Sequence, residues 1–127
     1  MTTKETYVIQ FNKVVELIIS HIVDEYNDDK FKKLKFLFNT FISNSSKKPI
    51  NMFLEKVYSN DEYRKNIIDQ NEEFFMNNDF SNINDKDDLT HVFEFKELWK
   101  TVNVETKLFL KKSLFTLVKL CEKFLLI

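Results

Sequence analysis

The chain contains no glycine among its 127 residues, and this absence limits its possible folds more than any other feature. Glycine reaches positive φ angles at little cost, and tight β-hairpin turns usually depend on it. Walker-type and dinucleotide-binding loops each need several glycines, so both kinds of nucleotide site are excluded. Asparagine is the natural substitute at helix C-termini, and it is plentiful in this chain. The composition therefore favours a protein built from helices.

The counts of the other residue types indicate the kind of genome that encodes the chain more than what the protein does. The apolar fraction is 43%, which is ordinary for a globular protein and argues against global disorder. Alanine is absent and Pro49 and Arg64 are single, whereas Phe, Lys, Asn and Ile are abundant. The abundant residues use AT-rich codons, so the simplest explanation is a gene from an AT-rich genome. We therefore give little functional weight to the number of Phe and Lys residues.

Apolar residues recur every three to four positions along most of the chain, which is the period of an amphipathic helix. Predicted helices cover residues 3–26, 29–43, 49–58, 61–77, 88–101 and 104–125, with a loop at 78–87. The predicted N-terminal caps are Thr2 with Glu5, Asp28 or Asp29, Asp88 and Asn103. A chain of 127 residues can be stabilised by a single hydrophobic core. We predict an all-α, single-domain bundle of five to six helices over residues 1–127, with the long C-terminal helix at its centre.

The last predicted helix has two apolar sides. One side is predicted to face the core and consists of Leu110, Leu114, Leu117, Cys121 and Phe124. Phe95 and Trp99 are predicted to pack on this side, at Leu110 and Leu114. The other either lies under the first or second helix or contacts a protein partner. Its candidate partner-binding residues are Leu108, Phe115 and Leu126, with Lys111, Lys112 and Lys119 beside them.

Charge is segregated along the chain although the net charge is only −1. Residues 30–48 contain lysines and no acid, residues 61–97 are strongly acidic, and the last helix is basic. Three interpretations remain open: opposite charges meet within the fold or are solvated, copies of the chain associate, or the basic stretch binds nucleic acid. The candidate nucleic-acid-binding residues are Lys30, Lys32, Lys33, Lys35, Lys47 and Lys48. A single arginine in the chain weakens the third interpretation.

No residue pattern indicates catalysis, a cofactor or a metal. His21 and His91 have no Cys or His partner at zinc-ligand spacing. The oxygen-rich segment 78–88 does not match a calcium-binding loop. Cys121 lies on an apolar helix face, where a buried and unreactive thiol is expected. We therefore predict a protein that is not an enzyme and has no cofactor.

The N-terminal residues do not resemble a signal peptide, and lysines interrupt the long last helix. We expect a protein that is neither secreted nor membrane-spanning and that lies in the cytoplasm.

Residues 95–120 read FKELWKTVNVETKLFLKKSLFTLVKL. This segment is similar to a C-terminal pattern in small helical proteins of large nucleocytoplasmic DNA viruses, in which a Leu-Trp-Lys helix, a polar joint and a Lys/Leu-rich helix recur. The resemblance implies that Leu98 and Trp99 pack on the last helix, and it implies no site residues. It also implies a viral source, in which case the location is the host cytoplasm or the virion. Together these features predict a helical interaction or structural protein that contacts either a protein partner or itself, the latter as a homodimer.

Overall fold

The structure is a computed structural model and describes residues 3–26, 29–77 and 103–127, without the side chains of Lys30 and of residues 75–77. Its helices are α1 (Lys4–Tyr26), α2 (Asp29–Asn44), α3 (Lys48–Phe53), α4 (Asp61–Ile68), α5 (Glu72–Asn77) and α6 (Val104–Leu126). A π-helical turn, Leu54–Tyr58, continues α3. Within these ranges there is no strand, and the predicted all-α single domain with a long last helix is confirmed. The predicted helix 88–101, its cap Asp88, His91 and the loop 78–87 lie outside the described residues.

Helices α1 and α6 form an antiparallel pair at the centre of the fold. Lys4 at the start of α1 lies 4.8 Å from the Phe124 ring centroid near the end of α6. Glu25 near the end of α1 accepts a hydrogen bond from Thr106 in the first turn of α6. The buried residues between and around them include Val8, Phe11, Ile18 and Ile22 of α1, and Leu110, Leu117, Val118 and Cys121 of α6. The core-facing side predicted for the last helix is therefore confirmed, while Phe95 and Trp99, which were predicted to pack on it, lie outside the described residues.

The remaining helices pack mainly on this pair. Ile19 of α1 forms a second apolar cluster with Leu34 and Phe38 of α2. Ile50 of α3 and Val57 of the π-helical turn are buried in the main core with residues of α1 and α6. Because α2 and α3 both pack against α1, the central place predicted for the last helix is shared with α1.

Several predicted helix starts can be compared with the structure. The Asn103 side chain accepts a hydrogen bond from the Thr106 backbone N–H at 2.8 Å, so the predicted cap of α6 is confirmed. At α1 the Thr6 N–H donates to the Thr3 hydroxyl at 3.3 Å, which makes Thr3 the cap. The predicted caps Thr2 and Asp28 lie outside the described residues, and Asp29 is the first residue of α2.

The single helix predicted over residues 61–77 is wrong, because the chain turns between α4 and α5. The Asn71 N–H donates to the Asn66 carbonyl and the Gln70 N–H donates to the Ile67 carbonyl, which together form a Schellman motif. Gln70 takes the left-handed position of this motif, with φ of 53°. Asn71 then accepts from the Glu73 N–H at 3.2 Å and starts α5. A glutamine thus occupies a position where we expected asparagine.

Candidate partner surface

The outward side of α6 carries large aliphatic side chains that the fold leaves exposed. Val104 is 74% exposed, Leu108 48% and Leu126 79%. With 3.6 residues per turn, these three positions fall within about 40° of one another around the helix axis, and the half-buried Phe115 lies between them. We call Val104, Leu108, Phe115 and Leu126 the outer stripe of α6. It follows the helix for about 33 Å at 1.5 Å per residue.

Two of the three lysines predicted beside this stripe do border it. Lys112 is exposed. The Lys119 ammonium lies 5.5 Å from the Phe115 ring centroid and 3.6 Å from Glu122 Oε2. The Lys119 ammonium therefore lies over the one aromatic ring of the outer stripe, and Glu122 partly neutralises its charge.

Lys111 does not belong to the open surface, which corrects its assignment as a partner-binding residue. Its side chain is only 15% exposed, and its Nζ lies 3.6 Å from Glu72 Oε2. Lys107 Nζ lies 4.0 Å from the other carboxylate oxygen of Glu72. Glu72 comes from the acidic segment and the two lysines from the basic last helix. At this point, opposite charges meet within the fold.

A polar cluster joins the end of α1 to the start of α6, and the sequence analysis did not find it. The Thr106 hydroxyl donates to Glu25 Oε2 at 2.6 Å and lies 3.0 Å from His21 Nε2. Thr106 is 1% exposed. The His21 ring stacks on Phe109 with centroids 4.5 Å apart. We call His21, Glu25 and Thr106 the α1–α6 clasp.

The hydrogen bonds of the clasp indicate a structural role. A carboxylate can only accept, so the single hydroxyl proton of Thr106 goes to Glu25 and His21 Nε2 must donate to the hydroxyl. A histidine that donates to a hydroxyl cannot remove its proton, so this geometry does not activate Thr106 as a nucleophile. The Glu25 carboxylate instead lies near the positive N-terminal end of α6, where an anion stabilises the helix.

Other reactive groups also have structural explanations. Cys121 is fully buried, and desolvation raises its pKa to about 12, so the thiol stays protonated at neutral pH. This matches the expected unreactive core cysteine. Among residues 3–26, 29–77 and 103–127, no group of three His, Cys, Asp or Glu side chains is placed to hold a metal ion. The oxygen-rich segment 78–88 lies outside those ranges.

The lysines proposed for nucleic-acid binding are spread around both ends of α2. Lys32, Lys33, Lys47 and Lys48 are exposed, Lys35 is half-buried, and the Lys30 side chain is not described. Lys48 Nζ lies 4.8 Å from the Phe41 ring centroid. Phe36, which our pattern did not assign to any site, is 70% exposed one turn after Lys32 and Lys33. The basic stretch therefore has an exposed aromatic ring next to two exposed lysines.

Arg64 is held within the fold. Its guanidinium donates to the Tyr58 carbonyl at 3.0 Å and to Asp61 at 2.5 Å, and it lies 5.2 Å from the Tyr58 ring centroid. It thus joins the π-helical turn to α4. The only arginine of the chain is therefore already engaged, which limits bidentate recognition of phosphates or bases by this protein.

Comparisons of the chain with protein-family models, curated proteins and solved structures found no match in any of the three. Every described helix is either too short or too polar to cross a bilayer.

Proposed function

We propose that this chain is a non-enzymatic interaction protein and that the outer stripe of α6 is its contact surface. The observation that carries the proposal is the exposure of Val104, Leu108 and Leu126 on one side of a helix whose opposite side forms the core. Large apolar side chains exposed along one side of a helix and bordered by polar residues are typical of protein–protein contact sites. The partner is a protein or a second copy of this chain.

Self-association can be tested with the purified protein alone, and the local charges are compatible with it. Lys119 is paired with Glu122 on the same helix, and Lys111 is paired with Glu72. These pairs reduce the repulsion between two basic helices brought face to face, so the aliphatic side chains can meet. The possible homodimer therefore remains part of the proposal.

Leu108→Glu is the variant that tests this surface. Leu108 is 48% exposed, so a glutamate can replace it without entering the core, whereas Phe115 is half-buried and its replacement would also disturb folding. Leu17→Glu on α1 is the matched control, because Leu17 is 57% exposed and lies on another helix. Light scattering over a concentration series measures the association.

We expect the wild-type protein to form dimers with rising concentration and Leu108→Glu to weaken this at least tenfold. Leu108 is 48% exposed, so a dimer buries about half a leucine on each of its two copies, which together contribute roughly 1.5–3 kcal/mol, and about 1.4 kcal/mol corresponds to a factor of ten. Leu17→Glu should associate like the wild type. A monomer at every concentration would reject self-association, and equal effects of both variants would reject the outer stripe as the surface.

Nucleic-acid binding is the second candidate function, and Phe36 is the observation that favours it. An exposed aromatic ring beside Lys32 and Lys33 offers both stacking and charge neutralisation. The engaged Arg64 makes it the weaker of the two proposals. Retention on immobilised DNA or RNA that falls steeply with salt, and falls further when Lys32 and Lys33 are neutralised, would support it.

The proposed setting is the cytoplasm or a virion. It is based on the resemblance of residues 95–120 to proteins of large DNA viruses. The contact surface proposed above does not depend on this setting.

A further inference from the structure

The outward face of α2 combines an exposed aromatic ring with exposed lysines. Phe36 is 70% exposed and belongs to neither apolar cluster of the described residues. Lys32 and Lys33 precede it by four and three positions, and Thr40 follows it by four. On an α-helix these spacings place the four side chains on one face. All four are exposed.

The charge of this face is positive. After Asp29, the chain contains no acidic residue up to Lys48. Asp29 is the first residue of α2 and lies seven positions before Phe36, so it is at the N-terminal end of the same face and offsets part of the charge of Lys32 and Lys33. Two exposed lysines against one carboxylate leave a net positive charge, which suits a polyanion.

We propose that this face binds single-stranded nucleic acid without sequence preference, with one base stacked on Phe36 and adjacent phosphates at Lys32 and Lys33. The inference rests on the second candidate function and adds the strand type and the contacts. A single strand fits better than a duplex, because stacking on a side chain needs a base face that a duplex buries. Base stacking and charge neutralisation also do not require the bidentate hydrogen bonds that an arginine guanidinium makes.

Fluorescence anisotropy with a labelled oligothymidylate tests the stacking contact. Phe36→Ser should weaken binding about 5- to 150-fold, the range for loss of one base–aromatic stack. Phe36→Trp should retain binding. Phe36→Leu should weaken it as Ser does, because leucine keeps an apolar surface without a ring. Leu17→Ser, on the exposed side of α1, is the control and should bind like the wild type.

A salt series tests the phosphate contacts. The double variant Lys32→Gln/Lys33→Gln should lower the slope of log affinity against log salt by about 1.4, since each single-strand phosphate contact contributes about 0.7. The double variant Lys13→Gln/Lys65→Gln removes the same charge from exposed positions on α1 and α4 and should leave the slope unchanged. Circular dichroism verifies that each variant is folded.

The outcomes separate this inference from the function on which it rests. No binding of oligothymidylate or of duplex DNA at low salt would overturn both. Equal binding of duplex, unaffected by Phe36→Ser, would overturn the stacked single strand and leave nucleic-acid binding in place. Binding of phosphatidylserine vesicles instead, retained in Phe36→Leu, would overturn the proposal in favour of a lipid surface.

Discussion

Replacing Thr106 by valine should remove the α1–α6 clasp while keeping the shape of the side chain. Thr106 is 1% exposed, and its hydroxyl bonds both Glu25 and His21. The Thr106 backbone N–H donates to the Asn103 side chain, and valine keeps this N–H, so the helix cap persists. The variant therefore tests the hydroxyl and not the helix start.

The expected loss of stability is roughly 2–3 kcal/mol. A hydrogen bond to a charged group contributes about 1.5–3 kcal/mol, and the lower end applies because Glu25 is exposed and can regain water. The second bond, to the half-buried His21, adds about 0.5–1.5 kcal/mol. The control is Thr116→Val on the exposed side of α6, where the hydroxyl donates to the Lys112 carbonyl of the same helix. Its free energy of unfolding should change by no more than about 0.5 kcal/mol.

Urea unfolding of the single variants Glu25→Ala and Thr106→Val and of the double variant gives a double-mutant cycle, in which alanine removes the acceptor of the hydroxyl. We expect Thr106 and Glu25 to be coupled by about 1 kcal/mol or more, because the two groups are in direct contact. A Thr106→Val variant as stable as Thr116→Val, or a coupling no larger than the error of roughly 0.3–0.5 kcal/mol, would refute the clasp.

Three further predictions concern single positions. Gln70→Gly should stabilise the protein in urea unfolding by about 0.5–1 kcal/mol, because glycine takes the positive φ of 53° without strain; a loss of stability would contradict the assigned turn. Asn12→Asp should lower the free energy of unfolding by roughly 2–4 kcal/mol, because the buried amide donates to the Ser46 carbonyl at 2.8 Å and a carboxylate cannot donate. Unfolding in urea like that of the wild type would contradict the burial of this side chain. Cys121 should react with a thiol reagent only on unfolding. Its folded pKa of about 12 exceeds the reference 9.0, so its contribution to stability is complete below pH 9 and is lost as the pH rises to 12; rapid reaction of folded protein near pH 8 would show an accessible thiol.

The main helices could be predicted because their signals are local. Asn103 is followed by an uninterrupted apolar period, and the cap and α6 both appear where the pattern places them. The turn at Gln70 could not be predicted, because the residues around it have no glycine or proline and several of them are ordinary helix formers. It depends on hydrogen bonds that form only once α4 ends.

The clasp could not be predicted for a different reason. His21 and Thr106 are 85 positions apart, and single-sequence periodicity carries no information on contacts between helices. Asn12 is a similar case, because an asparagine in an amphipathic helix is normally exposed, and its burial here accompanies a hydrogen bond to the Ser46 carbonyl. The outer stripe was partly predictable: Leu108 and Leu126 follow from the helical period, and Val104, four positions before Leu108, follows the same spacing.

The contact surface on α6 is tested most directly by methyl NMR of the folded protein over a dilution series. We predict that the methyl resonances of Val104, Leu108 and Leu126 shift with concentration, while those of Ile9 and Leu17, which are also exposed but lie on α1, stay constant. Constant resonances for the three α6 residues, with or without shifts on α1, would contradict self-association through the outer stripe.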